Sequence, residues 1–469
     1  MTSTDASRAP SPLPKILQVM FGLGVFLGMG ILTLKGLSLE DLILPMAALG
    51  LPVYLIVLVD PVLAIAILIA CIGLSPEMTM GGIKNLRIED FVMPGIVMGW
   101  VLRAGRERAP MARAHIWAPA VLSMVAMLCS TLAGASSRTT PLSQAFLVMG
   151  KYAEYLMIYL VIINTVKSEG EVRALAIFSI LVAIASSWAS LTTSIGHSSE
   201  LAEGRILGPM GETSNIYGGY LTLNLLIALG LFLHSSSEGA RLIYGAAVVL
   251  IGISILFTYS RTTYVALGGA ILIYGAFKHR RLLLILVVLA VILPLLAPQS
   301  VLDRMATVGG VAAGPTPGSW EARTWAWQVA WARMAPSDLL FGQGIYSVAF
   351  GDVDSEYVRI LSDVGFAGLF LFGWVLLRLG RLAYRTHEEL REYTFPKGYM
   401  AGYLMVFIAL LIHGVAATSF SAIRTEETFM LFSGFMTVLG NSRETLTAAD
   451  GARPVVLLEN VPVLEPSRY

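Results

Sequence analysis

The stretch DVDSEYVRILSD, Asp352 to Asp363, spaces Asp352, Glu356, Arg359 and Asp363 so that a helix would carry all four on one face. A carboxylate in such a place can take the proton of an attacking hydroxyl, and Asp354 and Glu356 are the two candidates for that general base. Two positions apart on a helix they point about 200° away from each other, so only one can meet a reacting group. Arginine supplies the complementary chemistry, because its planar fork holds phosphate oxygens bidentately and stays charged. Arg261, in FTYSRTTYVALG, follows the turn-former Ser260 with no acid within several positions. Arg205 precedes a Gly/Pro loop that ends on Ser214 and Asn215, where a helix is expected to begin and its backbone N–H groups favour negative charge. Arg323 lies at the edge of a tryptophan-bearing segment. Each has a plain structural alternative: N-capping for Asn215, and snorkelling or ion pairing for an arginine.

The elements that must position these residues are apolar helices. Hydrophobic residues make up 56% of the 469 and charged residues 13%, and the mean hydropathy is +0.73, which reads as a polytopic membrane protein. A net charge of +1 with no basic face argues against nucleic acid as a partner. The two cysteines, Cys71 and Cys129, fall inside apolar segments and read as small core residues rather than a disulfide or metal pair. An all-α fold is expected, with about fourteen apolar segments, centred near 15–35, 41–58, 61–75, 89–104, 116–135, 142–165, 172–192, 215–234, 242–259, 262–277, 281–298, 358–378, 398–418 and 426–440. Three are short, so twelve to fourteen spans are expected. The corresponding domains are a tail at 1–14, spans one to eleven at 15–298, a long loop at 299–357, spans twelve to fourteen at 358–440 and a disordered tail at 441–469. The first apolar segment is expected to be a retained anchor.

Short loops rich in Lys and Arg, at 103–113, 167–173, 278–281 and 378–397, fall on one side under this count. The positive-inside rule makes that side cytoplasmic, together with both termini. The other side receives the segments 193–214 and 299–357, together with Arg87, Arg138, Arg205, Arg261, Arg304, Arg323, Arg333, Arg359 and Arg424. Arginines there, against the usual bias, suggest an anionic, phosphorylated substrate at that face. Within the long loop, SWEARTWAWQVAWARM holds four of the eight tryptophans and sets Trp320, Thr324, Trp327, Trp331 and Met334 in one stripe, as an amphipathic helix at the bilayer surface would.

Taken in order, these features are Asn215 after a Gly-rich loop, Arg261 after a serine between two spans, the Trp/Arg-rich outer helix, G-x-G, and a polar patch opening a span that carries Gly365 and Gly368. The order resembles the bacterial O-antigen ligase and O-antigen or exopolysaccharide polymerase superfamily, over roughly residues 200 to 380. The resemblance implies a GT-C-like, integral-membrane glycosyltransferase of the bacterial inner membrane. Such an enzyme moves a glycan from undecaprenyl diphosphate to an acceptor hydroxyl at the periplasmic face, inverting the anomeric centre with neither metal nor cofactor. It implies a lipid-linked glycan donor, a glycan acceptor, membrane lipid and other polysaccharide export proteins as partners. On this chain it assigns Asp354 or Glu356 as base, and Arg261, Arg205, Arg323 and Asn215 to the diphosphate.

One departure bears on the chemistry. Ligases of the superfamily show His-Asn where this chain has Asp354 and Ser355, with Tyr357, Asp363 and Gly365 still in register. Of the six histidines only His197 and His413 can lie near the outer face, so His413 is the candidate stand-in. Acids at this position look more like the exopolysaccharide polymerases, and a polymerase is preferred over a ligase. Asp352-Val353-Asp354 also spells D-x-D, a metal-binding spacing in many sugar-nucleotide transferases, but three-residue matches are common by chance. A transporter or flippase would instead place ionisable residues at midplane in broken helices and show internal repeats; Lys151 and Glu154, inside the sixth span, are the pair that fits that alternative. A structural subunit of an export complex would need no outward-facing base.

Overall fold

The computed structural model describes residues 60–451 apart from 77, 81–82, 108–111, 113, 137–141, 197–207, 209–211, 297–318, 348–352 and 391–393. The expected spans at 15–35 and 41–58, and Arg138, His197, Arg205, Arg304 and Asp352, lie outside the described residues. Each of the other expected spans is a helix. They are α1 (Pro61–Leu74), α2 (Ile88–Glu107), α3 (Trp117–Ser136), α4 (Leu142–Thr165), α5 (Glu169–Gly196), α6 (Ser214–His234), α7 (Glu238–Phe257), α8 (Arg261–Phe277) and α9 (Arg281–Leu296). The loop helices α10 (Ser319–Arg333) and α11 (Asp338–Phe341) follow, then α12 (Glu356–Glu389), α13 (Phe395–His413) and α14 (Ile423–Gly451). The all-α expectation needs one amendment, a short antiparallel hairpin of β1 (Met78–Met80) and β2 (Ile83–Leu86) between α1 and α2. The last helix runs on to Gly451, past the point where a disordered tail was expected.

Among the described residues six helices are long and apolar enough to cross a membrane by length and composition. Burial sorts them into layers. In α6 83% of the most apolar window is buried and in α13 61%, against 22% in α3 and in α7, so α6 and α13 form the centre and α3 and α7 the periphery. A helix apolar all round belongs in such a centre. The two central helices meet at glycine: a Cβ at Gly230 would stand 2.3 Å from the Gly402 nitrogen and 2.4 Å from the Gly398 oxygen. Small residues at a crossing let backbones approach, which is how helices gain contact where lipid removes the hydrophobic drive between them. Outward faces remain apolar, with Leu242, Val249 and Ile253 on α7 and Leu284, Val287 and Val288 on α9 all exposed. A water-soluble surface would not carry such stripes.

Helix starts follow local chemistry. Asp60 accepts from the backbone N–H of Val62 and Leu63 ahead of Pro61, Ser260 accepts from Thr263 N, and Thr394 accepts from Lys397 N ahead of Pro396. The four basic loops gather at one end of the bundle. There Ala112 N donates to Asn164, Arg173 lies 5.0 Å from the Phe395 ring centroid, and Lys278 pairs with Glu388 at 2.7 Å. α6, α8 and α12 all begin at the opposite end.

Candidate functional site

At that opposite end the residues flanking the starts of α6 and α8 are bonded to each other. Ser260 Oγ donates to Asn215 Oδ1 at 2.8 Å, and Thr263 Oγ1 donates to Ser260 Oγ at 2.8 Å. His413, closing α13, continues the chain: its Nε2 is 3.4 Å from Thr263 Oγ1 and its Nδ1 is 2.7 Å from Ser419 Oγ. Asn215, Ser260, Thr263, His413 and Ser419 are thus one polar string. Both ring nitrogens of His413 are engaged and the residue is 3% exposed, so it links elements rather than faces a substrate as the stand-in base. The start of α12 joins the same place, because Glu356 N donates to the carbonyls of Gly414 and Ala417, one residue and four residues past His413. Three helix N-termini therefore converge, each favouring negative charge. Arg261, the first residue of α8, is half-buried there.

The two base candidates part company. Glu356 is fully buried; its Oε2 accepts from Phe420 N at 3.0 Å and its Oε1 from Ser421 Oγ at 2.6 Å, and Tyr152 OH lies 2.8 Å from the same serine. It pins the 414–421 turn and looks inward, with Glu426, onto an apolar cavity of about 100 Å³. Asp354, before the helix, is 55% exposed and its Oδ2 is 3.3 Å from Arg323 Nε. Arg323 itself comes from α10, so its contact with Asp354 ties the loop helix to the start of α12. On α10 the expected indole stripe is present in part: Trp320 and Trp327 pack edge to face at 5.4 Å, and Trp320 and Trp331 are exposed, as is Trp325 outside the stripe.

Several outer arginines follow the structural alternative. Arg87 and Arg424 are fully buried and share Glu212, at 2.8 and 2.6 Å, so they hold the hairpin, α14 and the loop before α6 together and are not open to substrate. Arg359 pairs with Asp363 at 3.6 Å along α12. Lys151 and Glu154 pair at 2.9 Å, with Glu427 3.9 Å from the lysine. Among the described residues no group of three or more His, Cys, Asp or Glu side chains could hold a metal ion.

What the sequence reading left out is how the loop grips α12. Gly342 (φ 73°, ψ −171°) and Gly365 (φ 70°, ψ −166°) both occupy a region essentially reserved for glycine. Each faces the other's backbone: a Cβ on Gly342 would lie 2.4 Å from the Asp363 carbonyl, and one on Gly365 2.5 Å from the Leu340 carbonyl. Gln343 N and Gly344 N donate to the carbonyls of Ser362 and Asp363, and Ser130 Oγ donates to the latter at 2.5 Å. The G-x-G turn and the break in α12 are one interlock that ties the loop before Asp354 to the helix after it. Gly365→Ala should cost about 1–3 kcal/mol from the backbone conformation alone. It is expected to lower folded yield and unfolding temperature in detergent, whereas Gly373→Ala, whose Cβ meets nothing within 4 Å, leaves both unchanged.

Residues 246–373 match the sequence profile of a family described as O-antigen ligase. The matched segment runs from within α7 into α12 and includes Arg261, Arg323, Asp354 and the glycine interlock. No curated protein matches the chain.

Proposed function

We propose, taking the O-antigen ligase match of residues 246–373 as premise, that this chain is a multi-pass glycosyltransferase of the bacterial inner membrane. It transfers or polymerises glycan carried on undecaprenyl diphosphate at the periplasmic face, with polymerisation the preferred reaction. The observation that carries this reading is the end of the bundle opposite the basic loops, where three helix N-termini, Arg261 and the Arg323–Asp354 pair come together. A departing diphosphate needs positive charge, and an attacking hydroxyl needs a base.

In the proposed step the acceptor hydroxyl attacks the anomeric carbon from the face opposite the diphosphate. Its proton passes to the Asp354 carboxylate, the bond from the anomeric carbon to phosphate oxygen breaks, and the lipid diphosphate leaves on Arg261. Arg205, outside the described residues, is assigned to assist there. Asn215 is assigned through Ser260, holding the start of α8 so that Arg261 faces the donor. Arg323 is shared. It holds Asp354 in the structure, and an incoming diphosphate competes for it, which releases the carboxylate for the acceptor as the donor binds. Glu356 and His413 position the turn behind the site.

Deletion of the gene tests the reaction class. Polymer is expected to disappear while single repeat units accumulate on undecaprenyl diphosphate, exposed to enzymes added outside the inner membrane. Polymer persisting on the carrier lipid would instead indicate a ligase. Repeat units confined to the cytoplasmic face would indicate a flippase and refute the reading.

A further inference from the structure

A second cavity runs along α12 and has its mouth at the other end of that helix. A groove of about 980 Å³ runs along α12 against α13, within the size range of ligand sites. Its walls are apolar at Phe372, Leu376, Phe407 and Leu411, and it opens between Arg378, Arg381 and Arg385. These three stand at i, i+3 and i+7, on one face of the helix. All three are exposed, and among the described residues neither Arg381 nor Arg385 has an acidic partner; Arg378 stacks 5.9 Å from the Trp374 ring. The acid on the groove's lining is Glu389, a turn beyond Arg385.

From Leu369 to Arg385 the α12 wall is about 24 Å long at 1.5 Å per residue, enough for a single leaflet's apolar depth of about 15 Å with headgroup space beyond it, and Tyr357, whose hydroxyl donates to the Leu411 carbonyl, lines the inner end of the slot. We propose that this groove binds an anionic glycerophospholipid, its acyl chains along Phe372, Leu376, Phe407 and Leu411 and its phosphate on Arg378, Arg381 and Arg385. Three guanidinium forks at the mouth of an apolar slot match a lipid phosphate, whereas a soluble anion would leave the slot unfilled. The arginines sit with the basic loops, at the far end of α12 from Asp354, so a phosphate held on them is distinct from the diphosphate of the glycan donor. The bound lipid's effect would be to brace α12 against α13, the helices that carry Glu356 and His413 at their other ends.

Gly373 gives a clean probe, because it lines the groove and a Cβ there meets nothing within 4 Å. Gly373→Leu should plug the slot without disturbing packing or charge. The full chain, purified in mild detergent and stripped of lipid, is titrated with phosphatidylglycerol, with phosphatidylcholine of the same acyl chains, and with inorganic phosphate. Binding is read by native mass spectrometry and by unfolding temperature. Phosphatidylglycerol should bind one per chain and raise the unfolding temperature, phosphatidylcholine should bind about tenfold or more weakly, and phosphate should do nothing. The triple variant Arg378→Gln/Arg381→Gln/Arg385→Gln should lose the preference for the anionic lipid, and Gly373→Leu should lose retention of both lipids. Arg280→Gln/Arg281→Gln, at the same end but outside the groove, should keep the wild-type response. Equal binding of the two lipids by the wild type, or undiminished phosphatidylglycerol binding in the triple variant or in Gly373→Leu, would overturn the site. Retention of an undecaprenyl phosphate that needs the same arginines would overturn the choice of occupant.

Discussion

Asp354→Asn is expected to abolish polymer at wild-type protein levels and to leave lipid-linked repeat units accumulating. The exchange keeps shape and the contact with Arg323 but removes the proton acceptor, and a lost general base costs roughly 10²–10⁴ in rate. Nothing in the fold should suffer, because Asp354 is 55% exposed and precedes the helix. Glu356→Gln should show the opposite profile. Its carboxylate is buried and accepts from Phe420 N and Ser421 Oγ, so the amide must turn a donor toward one of them, and folded protein should fall. The residual enzyme should keep its turnover per folded molecule. Full polymer from Asp354→Asn, with activity lost per folded molecule in Glu356→Gln, would move the base to Glu356.

Arg261 carries the second large effect. Arg261→Ala should slow donor turnover on the order of 10²–10³-fold, as for a lost donor to developing negative charge. Arg261→Lys keeps the charge but loses the fork and should recover only part of that loss. Turnover is read per folded molecule, so that any effect of either exchange on protein level is separated from its effect on the reaction. Wild-type turnover in both variants would remove Arg261 from the site. Arg424→Lys serves as contrast, since Arg424 is buried against Glu212 and its loss should reduce folded protein.

Long apolar runs made the helices legible: every span expected from residue 61 onward is a helix, because lipid demands that backbone groups be satisfied within the segment. Ends were less legible. α12 continues to Glu389 because RLGRLAYRTHEE, though too charged for lipid, remains a good helix-forming sequence. Local spacing also foretold the Arg359–Asp363 and Lys151–Glu154 pairs, each within one or two turns. Pairing across the chain was not legible. Glu212 takes Arg87 and Arg424 from elements far apart in sequence, so two arginines counted toward an outer anion site were in fact structural. Likewise the G-x-G turn carried no sign that its partner was the glycine inside α12, since either glycine alone reads as an ordinary turn or a small residue in a span.

The proposed reaction is glycan transfer from a lipid diphosphate with Asp354 as the base. Its most direct test is donor turnover by the purified full chain in proteoliposomes loaded with undecaprenyl-diphosphate-linked repeat units. Wild-type protein in excess chelator should lengthen the glycan and release undecaprenyl diphosphate in equal amounts, while Asp354→Asn, equally folded, should do neither. Donor that stays intact with the wild type, or equal release by both proteins, would contradict the account.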